Sequence, residues 1–152
     1  MSSLGDTDRL ITDLLDKGFN RELGFVIADW QNDSAELQQQ LSPQLLNRSD
    51  ILHGGVVGTL IDVCCGLAGC YCNEPGNVRR AVTLSLNIQF VDTVTTGAVS
   101  VRARKRAGGY RIFFADADVL ADDGRLLATG QGTYQYVKGS ETLAGMPLDD
   151  RT

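Results

Sequence analysis

Residues 47–73 read NRSDILHGGVVGTLIDVCCGLAGCYCN, and from Gly54 to Cys72 nearly every position is apolar or small, with Asp62 the only charge. A run this apolar reads as a helix buried on most sides. It reads poorly as a bilayer span: it barely reaches the ~18 residues required, holds Gly58, Gly66, Gly69 and a central carboxylate, and lacks positive flanks. A carboxylate in such a helix is costly unless it is hydrogen-bonded, protonated or put to use. A structural Asp tied to a backbone amide is the plain alternative to a reactive one.

Spacing within the run adds to this. Gly55, Thr59, Asp62, Gly66, Gly69 and Asn73 follow one another at intervals of 4, 3, 4, 3 and 4, which places small and polar residues on one helix face. Each glycine weakens a helix by roughly 1 kcal/mol against alanine, so a stripe of them predicts close approach of another backbone or a ligand. Asp62 is thereby expected to look out of a seam. Ahead of the helix, His53-Gly54-Gly55 exposes the first amide hydrogens at the positive end of the helix dipole. That is a site for an oxyanion or a polarised carbonyl, although a Gly-Gly helix start by itself also reads as a plain turn.

Taken together, Asn47, His53-Gly54-Gly55 and Leu60-x-Asp62 resemble the signature of the hotdog-fold acyl-CoA thioesterases, in the branch of phenylacetyl-CoA-type enzymes. The similarity continues into AVTLSLNIQFV, residues 81–91, and covers roughly Leu23 to Val137. The resemblance implies an α+β hotdog fold, a curved antiparallel sheet of about six strands around one long central helix. It also implies hydrolysis of an acyl thioester to free acid and coenzyme A, and dimers often paired into tetramers, with sites at the subunit interface. In the family, Asn47 would position the thioester or a water, and Thr83 would hydrogen-bond that water or the carboxylate.

The chain's 152 residues fit one domain with a respectable core, and 43% hydrophobic against 22% charged residues is the balance of a soluble globular protein. MSSLGDTDRLITDLL at the start lacks the charged and apolar regions of a signal peptide. Cys64, Cys65, Cys70 and Cys72 are neighbours on one predicted helix and cannot easily bridge one another, so they read as reduced thiols of a cytoplasmic protein. Their spacing is not a zinc pattern, and neither a metal nor a separate cofactor is expected, coenzyme A arriving as part of the substrate. Net charge is −5, yet Arg79 to Arg111 carries +6 and the remainder −11. Such a local basic patch suits a small polyanion such as coenzyme A better than long nucleic acid, and a solvated strand face is the alternative.

Outside the central run, apolar spacing at Leu10, Ile11, Leu14 and Leu15 predicts an N-terminal helix over 7–19. Strands are predicted over 21–29 and 33–42 as a hairpin, then over 80–90, 98–107, 110–121 and 126–138. The turns between the later strands are Thr95-Thr-Gly97, Gly108-Gly109 and Asp122-Asp-Gly124. The tail over 139–152 has no pattern and is expected to be loose.

If the Gly54 amide polarises a thioester carbonyl and Asp62 attacks it or activates a water, eight helical residues separate the two by roughly 12 Å. Reacting groups must lie within about 3 Å of the carbonyl, so one chain cannot supply both. Two helices packed antiparallel about a two-fold axis can. The expected catalytic set is thus Asp62 and Gly54, to which the resemblance adds Asn47 and Thr83, with His53 either catalytic or orienting its loop. Gly55, Cys65 and Phe90 are expected at the substrate, and Arg104, Arg106 and Arg111 at coenzyme A. A non-catalytic acyl-CoA sensor and an acyl-thioester dehydratase on the same fold remain the alternatives.

Overall fold

The computed structural model describes residues 15–148. A short helix α1 (Gly18–Leu23) leads into β1 (Val26–Gln31) and β2 (Ser34–Gln40). A single 3-10 turn (Pro43–Leu45) precedes the long helix α2 (Gly54–Gly69). Then come β3 (Asn77–Val78), β4 (Ala81–Phe90), β5 (Ala98–Gly108), β6 (Ile112–Ala121), β7 (Leu126–Tyr136) and β8 (Met146–Pro147). Six strands form one antiparallel sheet in the order β1-β2-β5-β6-β7-β4, and β3 pairs with β8 as a separate ribbon. Helix α2 carries the chain from β2 to β4 at the far edge, after which β5 returns to pair with β2 and the last three long strands meander back.

The core lies between α2 and the inner face of this sheet. Leu60, Ile61, Cys64 and Cys65 of the helix meet Leu37, Val101, Phe113 and Val119 of the strands, all eight fully buried. Alternation in β2, with Ala35, Leu37 and Gln39 inward, follows the predicted pattern. Among the described residues, no helix is long and apolar enough to cross a membrane.

Three expectations change. The first concerns 21–29: Arg21 to Leu23 closes α1, Gly24 ends it in the left-handed region at φ 75°, and the strand begins only at Val26. Positions 7–14 of the expected N-terminal helix lie outside the described residues. Second, the apolar run continues to Cys72 but the helix stops at Gly69, because side chains from the sheet take its last carbonyls. Trp30 Nε1 donates to Leu67 O at 2.8 Å and the Tyr136 hydroxyl to Gly69 O at 2.6 Å. Third, the tail is anchored through residue 148. Ser140 is fully buried, its hydroxyl accepts from Arg80 N–H at 2.9 Å, and Arg79 donates to the carbonyls of Ser140 and Glu141. Residues 149–152 of that tail lie outside the described residues.

The glycine stripe has a partly different cause from the one expected. A Cβ on Gly69 would run into the Phe113 ring of the same chain. That glycine makes room for the sheet's own aromatic layer, not for a second backbone. Gly69→Ala is expected to lower stability by about 1–3 kcal/mol, the range for overpacking a filled core, despite the better helix propensity of alanine. Thermal unfolding followed by circular dichroism checks this.

Candidate active site

The loop into α2 is tightly closed. Asn47 N–H donates to Ile51 O at 2.7 Å, while Asn47 Oδ1 accepts from Ser49 N–H at 2.8 Å and Ile51 N–H at 3.2 Å. Asp50, inside this loop, sits in the left-handed region at φ 58°. His53 N–H donates to Leu45 O, which seats the helix start against the 3-10 turn.

His53 is the N-cap. Its Nδ1 accepts from Gly55 N–H at 2.8 Å, which places the ring proton on Nε2, and its carbonyl receives the N–H groups of Val56 and Val57. Three of the four helix-entry amides are thus engaged. Gly55, expected at the substrate, has its amide committed to His53, and a Cβ there would press on the imidazole. Gly54 is the exception: its N–H meets no acceptor among the described residues, and the helix start packs beside Phe90. Phe90 is 59% exposed and stands at this end of the helix, remote from Asp62.

Two turns on, Asp62 is half-buried and held by hydroxyls. Thr83 Oγ1 donates to Asp62 Oδ1 at 2.7 Å, and the Tyr134 hydroxyl lies 3.0 Å from Asp62 O and 3.2 Å from Oδ1. Oδ2 has no partner among the described residues. The structure therefore brings Thr83 to Asp62, as expected, through an irregularity in β4. Register shifts between Thr83 and Ser85 against β7, so that Ala81 and Thr83 before the bulge share the helix-facing side with Leu86 and Ile88 after it. Strict alternation would have put Thr83 opposite those apolar residues.

Asp62, Thr83 and Tyr134 line a groove of about 280 Å³, with Gly66 and Leu67 of the helix and with Arg79 and Arg80 at the head of β4. The Arg79 guanidinium is committed: it donates to the carbonyls of Ser140, Tyr71 and Glu141 and stacks 4.5 Å over the Tyr136 ring. Cys65, expected at the substrate, is fully buried behind Tyr134, outside the groove. Burial pushes its thiol up to about 12, so it stays protonated at neutral pH.

The expected arginines stand elsewhere. Arg102 and Arg104 point out of β5 on the face away from α2, while Val101 and Ala103 point in. Asp118 and Asp116 of β6 lie directly opposite them in register. Arg102 pairs with Glu36 at 3.4 Å and Arg106 with Asp116 at 3.5 Å, so the patch is partly neutralised. Arg104 and Arg106 border an outer polar groove of about 390 Å³, and Arg111 is exposed at the β5–β6 hairpin. Within one chain none of the three lines the Asp62 groove.

Tyr134 is the site residue that the sequence reading missed. Its signal was Gly130 and Gly132 in β7, since glycines inside a strand mark a close approach. A Cβ on Gly132 would strike the Tyr134 ring, and one on Gly130 would meet Ile61 of the helix at 2.9 Å.

One buried helix wrapped by a six-stranded antiparallel sheet, with a hydroxyl-held carboxylate at mid-helix and an open amide at its start, defines the hotdog class of thioester hydrolases. The family model described as Thioesterase superfamily matches residues 50–128, just over half of the chain, and the chain belongs to that family. Ta0293 of Thermoplasma acidophilum, named as a candidate esterase, is 28% identical over 117 residues, spanning 77% of this chain and 86% of that protein. The fold is shared with thioesterase HI1161 of Haemophilus influenzae (TM-score 0.77, 22% identity, covering 99% of this chain and 97% of that one). It is shared also with the PaaI protein of the E. coli phenylacetic acid degradation operon (TM-score 0.76, 22% identity, 92% and 100%).

Proposed function

We propose that the protein is an acyl-CoA thioesterase whose reacting carboxylate is Asp62. The observation that carries this is the 2.7 Å hydrogen bond from Thr83 to Asp62 Oδ1 at the wall of an open groove, with Oδ2 left unpartnered among the described residues. A carboxylate held by one oxygen and open at the other is oriented to react. Asp62 either attacks the thioester carbonyl carbon or takes a proton from a water that does. In both routes the carbon–sulfur bond breaks, coenzyme A leaves as the thiol and the acyl group leaves as the free acid.

The carbonyl oxygen needs a donor, and in this reading the Gly54 amide supplies it. It lies roughly 12 Å along the helix from Asp62 of the same chain, so the complete site joins Gly54 of one copy to Asp62 of another. An edge supports such pairing. Strand β4 is bonded on one side only, and Val82, Leu84, Phe90 and Val91 are each more than half exposed along it. A long apolar edge of this kind is a surface for a second copy. Pairing of two such dimers into a tetramer completes the proposed assembly. Asn47 and His53 then act mainly by shaping the loop that presents Gly54, and Arg104, Arg106 and Arg111 are assigned to the phosphates of coenzyme A bound across the interface.

A panel of acyl-CoA thioesters tests the reaction, each compared with the same acyl group on pantetheine, which lacks the nucleotide. Turnover is expected on at least one acyl-CoA, with kcat/KM about tenfold or more lower for its pantetheine counterpart, since phosphate–arginine contacts are charge-assisted. Equal rates on the two would remove the arginine assignment. Tight binding of acyl-CoA without any turnover would instead favour a sensor.

A further inference from the structure

Tyr134 reaches the carboxylate from β7, directly across the sheet register from Thr83 of β4, and both hydroxyls meet Asp62 Oδ1. We infer that Tyr134 is a positioning residue for the hydrolysis, holding Asp62 by Oδ1 together with Thr83 so that Oδ2 faces the groove. This rests on the reading of Asp62 as the reacting group.

The ring is 2% exposed and stacks on Phe113 with centroids 5.0 Å apart and planes within 10°. Space for this pair comes from two glycines. Gly132 on the same strand leaves room for the Tyr134 ring, and Gly69 on the helix leaves room for Phe113. Rotation of the ring is therefore blocked on each of these sides, and the hydroxyl is fixed where the groove meets the helix.

That hydroxyl has one proton and two acceptors, Asp62 O at 3.0 Å and Asp62 Oδ1 at 3.2 Å. A charged carboxylate draws the proton to Oδ1, because hydrogen bonds to ionised groups are the stronger ones. Once Asp62 has gained a proton or formed a bond to the acyl carbon, the same proton can return to the backbone oxygen. The hydroxyl thus supports the charged, reactive form and releases it without being left unpaired. Burial holds the Tyr134 hydroxyl well above the usual tyrosine range, so it stays a donor at every working pH.

Among the described residues, the titratable and charged groups around Asp62 are few. Cys65 comes from its own helix and Tyr134 from β7. Arg79 and Arg80 stand at the head of β4, and Asp116 acts on Cys65 from β6. Cys65 stays neutral and Arg79 is committed to backbone carbonyls. The two hydroxyls of Thr83 and Tyr134 are the donors that hold the carboxylate.

The experiment is the pH profile of kcat/KM for wild type, Tyr134→Phe, Thr83→Ser and Thr83→Val on the best acyl-CoA of the panel. Tyr134→Phe keeps the ring and its stacking, so a melting temperature within a few degrees of wild type is expected. Its kcat/KM should fall about ten- to a hundredfold, the worth of a hydrogen bond to a charged group. The acid limb should move to higher pH, because removing a donor disfavours the ionised carboxylate. Thr83→Val should move the same limb the same way, and Thr83→Ser, which keeps a hydroxyl, should not. In an Asp62→Asn background Tyr134→Phe should lower the rate no further. An acid limb unmoved in Tyr134→Phe overturns the inference whatever the rate, since a purely structural tyrosine would slow turnover without shifting the profile. Full turnover by Asp62→Asn would instead overturn the carboxylate reading beneath it.

Discussion

Asp62→Asn is expected to reduce kcat by roughly two orders of magnitude or more with KM little changed, the mark of an interaction made only in the transition state. The substitution is nearly isosteric. Thr83 can still donate to the amide oxygen as it does to Oδ1 at 2.7 Å, so the helix, the groove and the assembly should persist. What is lost is the basicity and nucleophilicity of Oδ2, which no neighbour supplies: Tyr134 is a firmly protonated donor, and Cys65 is fully buried and neutral. Thiol release followed with a disulfide reagent measures this. All four cysteines are unpaired and buried, and burial pushes Cys65 and Cys70 up to about 12, so the protein's own thiols should react slowly against the coenzyme A signal. Turnover near wild type in Asp62→Asn would remove the carboxylate mechanism and direct attention to His53.

Gly54→Pro is expected to lower kcat by about a hundred- to a thousandfold, the usual loss on removing one oxyanion donor, while leaving the fold intact. A backbone amide can rarely be deleted so cleanly. Gly54 is the first residue of α2, where proline is well accommodated because its missing N–H has no helical partner. The preceding residue, His53, already sits at φ −63° and ψ 132°, the extended conformation that a following proline demands. A Cβ at this position meets only the Phe90 ring, at 3.4 Å, and that side chain is more than half exposed and can give way. Circular dichroism and the melting temperature should match wild type while activity falls. A fully active Gly54→Pro enzyme would show that the carbonyl oxygen is bound elsewhere.

What could be read ahead of the structure, and what could not, divides along physical lines. The central helix was legible because an apolar run with a single charge has few other folds available, and the β6–β7 hairpin because Gly124 sits at a left-handed turn that other residues avoid; the turn at Thr95-Thr-Gly97, of the same composition, closes no hairpin, since β4 pairs with β7 and β5 with β2 and β6. The alternation of β2 followed the same rules, whereas the pairing of β4 with β7 at the sheet edge joins strands distant in sequence and no local signal announces it. Thr83 was reached only through family resemblance. Period-two counting groups it with Ser85, Asn87 and Gln89, and a bulge that no residue announces turns it to the helix. The arginines show a complementary limit. Their clustering in one basic segment was visible, but Asp116 and Asp118 opposite Arg104 and Arg102 come from another strand, and that neighbourhood depends on register. Gly69 misled for a similar reason, since the group that needs its missing side chain, Phe113, lies 44 positions further along the chain. Tyr134 was hidden because an aromatic in a β-strand is ordinary, and only its hydroxyl's target sets it apart.

The central claim is that each site takes Gly54 from one copy and Asp62 from another, and mixed dimers test it most directly. Gly54→Pro and Asp62→Asn chains carrying different affinity tags would be co-expressed, doubly purified and assayed beside each parent. In a mixed dimer with shared sites, one site holds both lesions and the other holds none. The purified heterodimer should therefore regain about half of wild-type kcat per dimer, and an unsorted random mixture about a quarter. Heterodimers no more active than the two inactive parents would contradict the account, since that is the outcome when Gly54 and Asp62 serve the same site within one chain.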